Sequence, residues 1–190
     1  MLIGLLGGSF DPVHNGHLIA AQIAREALEL DLVLMTPAAR QPLKPGHGAP
    51  AADRLRMLEL AVTGLEGIES DGREIDRGEV SYTVDTLAEL ARERPGAGLV
   101  LLLGSDAAAR FDQWRAPEEI HRLARVVVFQ RGNDPVPAGF EQVRLPILEI
   151  SSTLIRERVS RGRSIRGWVP DRVADYISGL ALYRTKGGAG

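Results

Sequence analysis

Two histidines close to the start of the chain lie where a phosphate group could be held. They belong to residues 7–17, which follow a short apolar run and begin with two glycines. Glycines let the backbone turn tightly and approach a ligand, and the free N–H groups of a helix N-terminus favour bound phosphate. His14 and His17 are three positions apart, so on a first helical turn both imidazoles face the same side. The segment predicts a site in which two histidines point at one anion.

Competing interpretations of this segment are a capped turn and a zinc site. Isolated histidines usually cap a helix or lie on the surface. A zinc site needs at least one more ligand, and neither His47 nor His121 has an obvious approach to the pair. The chain has neither the G-x-x-x-x-G-K-[ST] pattern of a P-loop nor the G-x-G-x-x-G pattern of a redox dinucleotide site.

A second segment that could hold an anion comprises residues 150–156, with the sequence I-S-S-T-L-I-R. Serine and threonine are good N-caps. Their hydroxyls, the free N–H groups of the helix and Arg156 together form an anion cradle. An ordinary capped helix is the structural alternative.

Four further positions could hold a second substrate. Residues 82–87 begin a helical pattern in which Thr83 is the expected N-cap, and the free N–H groups there suit a small carboxylate. Trp114 could stack on an aromatic ring. Lys44 and Arg131 are loop cations that could reach phosphates. The structural alternatives are a capped helix, a core tryptophan and solvated loop charges.

Both anion segments resemble the motifs of a nucleotidyltransferase superfamily. Its mark, G-x-F-D-P-x-H-x-G-H, is matched at every specified position by residues 8–17, and its second ATP motif, I-S-S-T-x-I-R, by residues 150–156. The resemblance implies a Rossmann-like nucleotidyltransferase fold and adenylyl transfer from ATP with release of pyrophosphate. It also implies that Arg156 holds the ATP phosphates.

The other candidate positions resemble the bacterial nicotinate mononucleotide adenylyltransferase family. Its Y-T-x-D-T-L, G-S-D, W and R positions are matched by residues 82–87, residues 104–106, Trp114 and Arg131. The resemblance implies that AMP passes from ATP to nicotinate mononucleotide, giving nicotinate adenine dinucleotide in NAD biosynthesis. It further implies that Thr83 and Trp114 hold the pyridine ring and its carboxylate, and that Asp106 lies near the adenosine ribose.

The resemblance and the chemistry of the residues give one expected site. Direct in-line transfer without a covalent intermediate needs positioning and charge stabilisation rather than a general base, because a phosphate monoester is mostly dianionic at pH 7. Mg²⁺ is expected to be held by ATP phosphates and water, with no dedicated metal ligands. The expected catalytic residues are His14, His17, Lys44 and Arg156. The expected ATP-binding residues are Gly7, Gly8, Ser9, Phe10, His14, His17, Gly104, Asp106, Ile150, Ser151, Ser152, Thr153 and Arg156. The expected substrate-binding residues are Lys44, Tyr82, Thr83, Trp114 and Arg131.

One position departs from the family pattern. The family's P-P-H-K loop is here Gln41-Pro42-Leu43-Lys44, so the usual histidine is Leu43. We hypothesise that His47 replaces it when the loop closes.

Other activities remain as alternatives. They are a nicotinamide mononucleotide or phosphopantetheine adenylyltransferase, a tRNA-linked activating enzyme and, in a different class, a non-catalytic nucleotide sensor. The tRNA alternative lacks a second region large enough for a tRNA-reading domain.

Alternating strand and helix patterns must position these groups. Strands are predicted at residues 2–6, 32–35, 68–75, 99–103, 126–129 and 143–150, with Pro146 making the last a poor central strand. Helices are predicted at about 16–30, from Asp53 onward with Leu55, Leu58 and Val62 on one face, and at 83–94, 153–161 and 170–183. This order predicts a single α/β domain with a doubly wound parallel sheet, in which ligands bind at the carboxyl ends of the strands.

The composition of the chain narrows the number of domains, the kinds of partner and the cellular location that we expect. The chain has 190 residues, 44% of them hydrophobic, and its 23 basic and 25 acidic residues leave a net charge of −2. We expect one domain over residues 1–185, a disordered tail at 186–190, and no nucleic-acid or membrane partner. There is no cysteine, no apolar run of about 18 residues and no signal peptide, so a cytoplasmic location is expected, and a homo-oligomer is one possible assembly.

Overall fold

Within the described residues, six strands form one parallel sheet in the order β3-β2-β1-β4-β5-β6. The computed structural model describes residues 1–40, 48–132 and 135–184. Its elements are β1 (Leu2–Gly8), α1 (Asn15–Ala27), β2 (Leu32–Pro37), α2 (Ala51–Val62), β3 (Ile68–Ser70), α3 (Arg73–Arg77), α4 (Thr83–Glu93), β4 (Gly98–Gly104), α5 (Ser105–Ala108), a 3-10 helix (Phe111–Gln113), α6 (Pro117–Leu123), β5 (Arg125–Arg131), β6 (Glu141–Leu145), α7 (Ser152–Ser160) and α8 (Asp171–Gly179).

Apolar residues on both faces of the sheet hold the fold together. One cluster joins Leu6 and Val33 to α1, α2 and α8, and the other joins Ile3 and Leu101 to α4 and α6. The runs in β4 and β5 are buried almost throughout, as expected for strands with a neighbour on each side. The predicted doubly wound parallel sheet is therefore confirmed.

The strand order reverses between β1 and β4. From β1 the chain first adds β2 and β3 on one side and then β4, β5 and β6 on the other. A crevice forms at such a point beyond the carboxyl ends of the strands, and ligands of open α/β sheets bind there. Residues 8–17, which start with the last residue of β1, begin at this crevice and are called the histidine turn below.

Two predicted strands have different limits in the structure. The strand predicted at 68–75 ends at Ser70, because the Asp71 carboxylate accepts the Arg73 N–H (3.2 Å) and a short helix, α3, follows. The strand predicted at 143–150 is β6, Glu141–Leu145, and it ends before Pro146, which has no N–H to donate.

The helices differ from their predictions mainly at the ends. α1 begins at Asn15 and α2 at Ala51, and Pro170 precedes α8 as its N-cap rather than lying in its first turn. The apolar face predicted for α2 is also wrong at one position, because Arg54 is buried there while Leu55 is only partly buried. No helix in the described ranges is long and apolar enough to cross a membrane. The predicted tail lies outside the described residues.

Candidate active site

The two histidines of the histidine turn lie face to face. His14 is the N-cap of α1, with extended backbone, and His17 lies in the first turn of the helix. Their rings stack with centroids 3.6 Å apart and planes 20° from parallel. The spacing correctly predicted that both rings share one side of the helix start.

A backbone hydrogen bond fixes the proton on His17. The His14 N–H donates to Nδ1 of His17 at 3.2 Å. A nitrogen that accepts carries no proton, so the neutral ring of His17 carries its proton on Nε2. Nε2–H is then the group left to donate to a ligand.

Both imidazoles are neutral at pH 7. Desolvation, followed by the positive charge of Arg131, lowers the pKa of His14 to about 4. Desolvation also lowers the pKa of His17 well below its usual value, with smaller contributions from His14 and Arg131. Arg131, at the end of β5, is therefore close enough to act electrostatically on the histidine pair.

Two glycines let aromatic rings approach the backbone of the histidine turn. A Cβ on Gly16 would lie 3.1 Å from Nδ1 of His14, and one on Gly8 would lie 3.0 Å from the ring of Phe10. Phe10, which has a φ of 46°, presents its ring to the edge of His17 at a centroid distance of 5.0 Å. These close approaches explain Gly8 and Gly16 of the G-x-F-D-P-x-H-x-G-H motif independently of any phosphate.

Helix α7 is attached to the histidine turn. Ser151 caps the helix by accepting the Leu154 N–H at 3.2 Å. Ser152 donates its hydroxyl proton to the Pro12 carbonyl at 2.9 Å, and Arg156 donates from Nη1 to the Asp11 carbonyl at 2.8 Å. The two anion segments, about 140 positions apart in sequence, therefore form one side of the same crevice.

Asp11 is a buried carboxylate within this arrangement. It accepts hydrogen bonds from the N–H groups of Gly48 (2.6 Å) and Ala49 (3.0 Å) and from the hydroxyl of Tyr183 (2.8 Å). Sequence reasoning did not assign it a role, although it is a fixed position of the G-x-F-D-P motif.

Arg54 joins the histidine turn to the loop after β2. It is 1% exposed and donates to the carbonyls of Ser9 (2.7 Å) and Ala39 (3.3 Å). Ala38 N–H also donates to the Gly8 carbonyl at 2.9 Å. Sequence reasoning missed Arg54, and only its place on the otherwise apolar face of α2 could have indicated it.

The start of α4, which contains the candidates Tyr82 and Thr83, is joined to the same loop. Ala39 N–H donates to the Ser81 hydroxyl at 3.0 Å, which brings the start of α4 to the crevice. Thr83 is not the N-cap of α4. Tyr82 holds that position with extended backbone, and no side chain caps the helix.

Arg115 connects Tyr82 to the segment that contains Trp114. Its guanidinium lies 4.8 Å above the Tyr82 ring and 3.2 Å from the Asp85 carboxylate. Trp114 is partly buried, 5.5 Å from Phe111 between ring centroids. A cavity of about 460 Å³ lies between these elements and is lined by Arg40, Arg77, Gly78, Glu79, Val80, Tyr82, Asp85 and Arg115.

The remaining predicted residues are located less specifically. Gly104 ends β4, and Asp106 follows it on the short helix α5 with an exposed side chain. Gly7 is the second-last residue of β1, and Ser9 follows the strand. A Cβ on Gly16 would lie 3.9 Å from Cβ of Ile150. Lys44, Leu43 and His47 lie outside the described residues.

A larger cleft of about 690 Å³ lies near the far end of α7, lined by residues that include Val159, Arg163 and Ile177. We assign the site to the crevice instead, because the motif residues, the perturbed histidines and the buried Asp11 carboxylate are there. In the described part of the chain, no three His, Asp or Glu side chains converge on a possible metal position.

The fold and this crevice define a class of nucleotide-transferring proteins. Residues 5–158 match the cytidylyltransferase-like family model, and the chain belongs to that family. Within it, the chain is similar to proteins called probable nicotinate-nucleotide adenylyltransferases. One from Gemmatimonas aurantiaca is 43% identical over 97% of this chain and 93% of its own length. One from Roseiflexus is 45% identical over 96% of this chain and 98% of its own length.

Solved structures share the fold at lower identity. The nicotinic acid mononucleotide adenylyltransferase of Plasmodium falciparum, complexed with NaAD, superposes with a TM-score of 0.78 at 19% identity, covering 95% of this chain and 96% of that one. A putative nicotinate-nucleotide adenylyltransferase from Vibrio parahaemolyticus superposes with a TM-score of 0.70 at 20% identity, covering 98% of both chains.

Proposed function

We propose that this protein transfers AMP from ATP to nicotinate mononucleotide, forming nicotinate adenine dinucleotide and releasing pyrophosphate. The observation that carries the reaction type is the stacked His14–His17 pair at the start of α1, with Arg156 of α7 bonded to the same turn. The choice of acceptor is supported by the relatives named above.

The chemistry is a direct displacement at the α-phosphorus. An oxygen of the mononucleotide 5′-phosphate forms a bond to the α-phosphorus as the bond to the β-phosphate oxygen breaks, and the electron pair leaves with pyrophosphate. The attacking phosphate is already mostly dianionic at pH 7, so no general base is required. The protein must bring two anions together and stabilise the charge that develops between them.

The histidine pair suits the α-phosphate. Its neutral rings can donate from Nε2–H, and a ligand anion also makes proton uptake by the rings easier. Arg156, held by the Asp11 carbonyl, and Lys44 would neutralise the β- and γ-phosphates. Ser9, Phe10, the 150–153 segment and Gly104 would contact the rest of ATP, and Asp106 its ribose.

Acceptor binding is assigned to the other side of the crevice. Tyr82 and Thr83 at the start of α4, with Trp114, would hold the pyridine ring and its carboxylate, and Arg131 would contact phosphate. Mg²⁺ enters as part of the ATP substrate complex. The Asp11 carboxylate is already occupied by three donors, so phosphate oxygens and water would hold the ion.

Four broader assignments accompany the function. We place the enzyme in the cytoplasm and treat residues 1–185 as one domain. A homo-oligomer and the replacement of Leu43 by His47 stay predictions.

Pyrophosphate release with MgATP and a panel of acceptors tests the proposal. We expect nicotinate mononucleotide to give the highest kcat/KM, above nicotinamide mononucleotide and phosphopantetheine, because a helix N-terminus stabilises a carboxylate. A preference for the amide would replace the acceptor assignment. Binding of ATP with no pyrophosphate released from any acceptor would instead indicate a nucleotide sensor.

A further inference from the structure

Tyr183, far from the sequence motifs, reaches into the site from the segment after α8. Its hydroxyl donates to Oδ1 of Asp11 at 2.8 Å, across 172 positions of sequence. The Asp11 side chain is only 6% exposed, so each of its few hydrogen-bond donors matters. The bond therefore connects the C-terminal segment directly to the histidine turn.

Asp11 also forms hydrogen bonds with two other segments. Its carboxylate accepts the N–H groups of Gly48 and Ala49, which precede α2, and its own carbonyl accepts Nη1 of Arg156. Oδ2 of Asp11 is also 3.9 Å from the Arg156 guanidinium. A shift of Asp11 would therefore move the proposed phosphate-binding arginine and the segment that leads into α2.

The backbone and the ring of Tyr183 are held as tightly as its hydroxyl. Tyr183 has a φ of 61°, a left-handed conformation that a bulky residue adopts only when surrounding contacts impose it. A Cβ on Gly48 would lie 3.2 Å from Cε1 of Tyr183 and 3.2 Å from Cδ of Arg156, so these two side chains close on the same point of the 48–49 segment.

We propose that Tyr183 is a positioning residue of the ATP site, whose hydroxyl fixes Asp11 and, through Asp11, fixes Arg156 and the 48–49 segment. The inference rests on the proposed function only for the identity of the ligand that Arg156 receives. Burial, and then the negative charge of Asp11, raise the pKa of Tyr183, so the hydroxyl keeps the proton that it donates.

The chain offers a matched control. Tyr176, on α8, donates its hydroxyl to Oδ1 of Asp53 on α2 at the same distance, 2.8 Å. That bond also joins the C-terminal region to α2, but Asp53 makes no hydrogen bond or ion pair with the histidine turn or Arg156 among the described residues. Tyr183→Phe and Tyr176→Phe each remove one hydroxyl and keep the ring.

Steady-state kinetics should separate the two variants. For Tyr183→Phe we expect KM for ATP to rise about tenfold, with kcat within about twofold of wild type. Asp11 loses a hydrogen bond in this variant, so it holds Arg156 less firmly, and the contact of Arg156 with bound ATP weakens. Tyr176→Phe should keep the wild-type KM. Equal KM values in both variants and the wild type would overturn the proposal.

Amide hydrogen exchange supplies a readout that needs no activity. The Gly48 and Ala49 amides should exchange faster in Tyr183→Phe than in the wild type, and at the wild-type rate in Tyr176→Phe. Unchanged exchange at these amides would also overturn the proposal. If the wild type releases no pyrophosphate with any acceptor, the proposed function fails, but exchange and the affinity for ATP itself still decide the role of Tyr183.

Discussion

His17 is held so that Nε2–H is the donor that its ring can offer to a ligand. Nδ1 is occupied by the His14 N–H, and the pKa of the ring lies well below 6.5. The residue can therefore serve as a neutral donor through Nε2–H across the neutral pH range. Its usefulness depends on this fixed tautomer more than on its charge.

Replacing His17 by Asn tests that donor. The amide oxygen of Asn can take the place of Nδ1 and accept the His14 N–H, whereas nothing replaces Nε2–H. We expect kcat to fall about 10²–10³-fold, the usual cost of a lost transition-state donor, with little change in melting temperature. The measurement is pyrophosphate release, with circular dichroism to verify folding.

His121→Asn is the matched control, since His121 lies on α6 against Phe111 and Phe140. It should keep its turnover even if its stability falls. Near-normal turnover in His17→Asn would remove His17 from the mechanism.

At the residue scale, the motifs predicted the histidine pair and Arg156 but not the groups that hold them. Asp11, Arg54 and Tyr183 make contacts between positions 37 to 172 apart. Local spacing carries no information about such contacts. Burial of a guanidinium also contradicts the general tendency of arginine to be exposed, so composition gives no indication of it.

Helix α2 contributes an arginine where its apolar pattern predicts a hydrophobic residue. Arg54 links the ends of β1 and β2 by donating to Ser9 and Ala39 carbonyls. The helix thereby sets the distance between two loops of the crevice, in addition to packing against the sheet.

Arg54→Met should therefore be costly although the new side chain is apolar and long. Two partly buried carbonyls lose their charged donor, and we expect a loss of about 2 kcal/mol in the free energy of unfolding, measured by urea denaturation. Arg56→Met is the control on the same helix. Arg56 is 55% exposed, and its one ion pair among the described residues is with Glu59, so its loss should change stability by less than about 0.5 kcal/mol. A smaller loss for Arg54→Met than for Arg56→Met would contradict this account.

Element prediction from sequence was best where burial was continuous. The apolar runs identified β1, β2, β4 and β5, because a strand with two neighbours and two covered faces is hydrophobic throughout. Helix α6 was not predicted, since Ile120 alone is buried along its seven residues and gives no apolar periodicity. The edge strand β6 has only Val143 buried, so its start at Glu141 had no apolar signal.

For the whole molecule, the histidine pair makes stability depend on pH. The pKa of His14 is about 4 in the folded protein, against 6.5 for an ordinary histidine. Between these values the unfolded chain binds a proton that the folded protein does not. The free energy of unfolding should therefore fall as pH decreases from 6.5 towards 4, by up to about 3 kcal/mol from His14 alone. His17 acts in the same direction.

Urea denaturation of the ligand-free protein between pH 4.5 and 7.5 measures this dependence. His14→Asn should show a shallower decline below pH 6.5 than the wild type, whereas His121→Asn, with its substitution on α6, should follow the wild-type slope. An unchanged slope in His14→Asn would show that the ring is not held neutral in the fold.

The contacts of Ser152 and Arg156 with the histidine turn span 140 and 145 positions. Because a ribosome makes the chain from its N-terminus, β1 and the histidines emerge long before the partners that complete their pocket. A nascent polypeptide therefore has no finished binding site until α7 has been synthesised. Proteolytic removal of α7 and α8 would abolish the site while leaving both histidines in place.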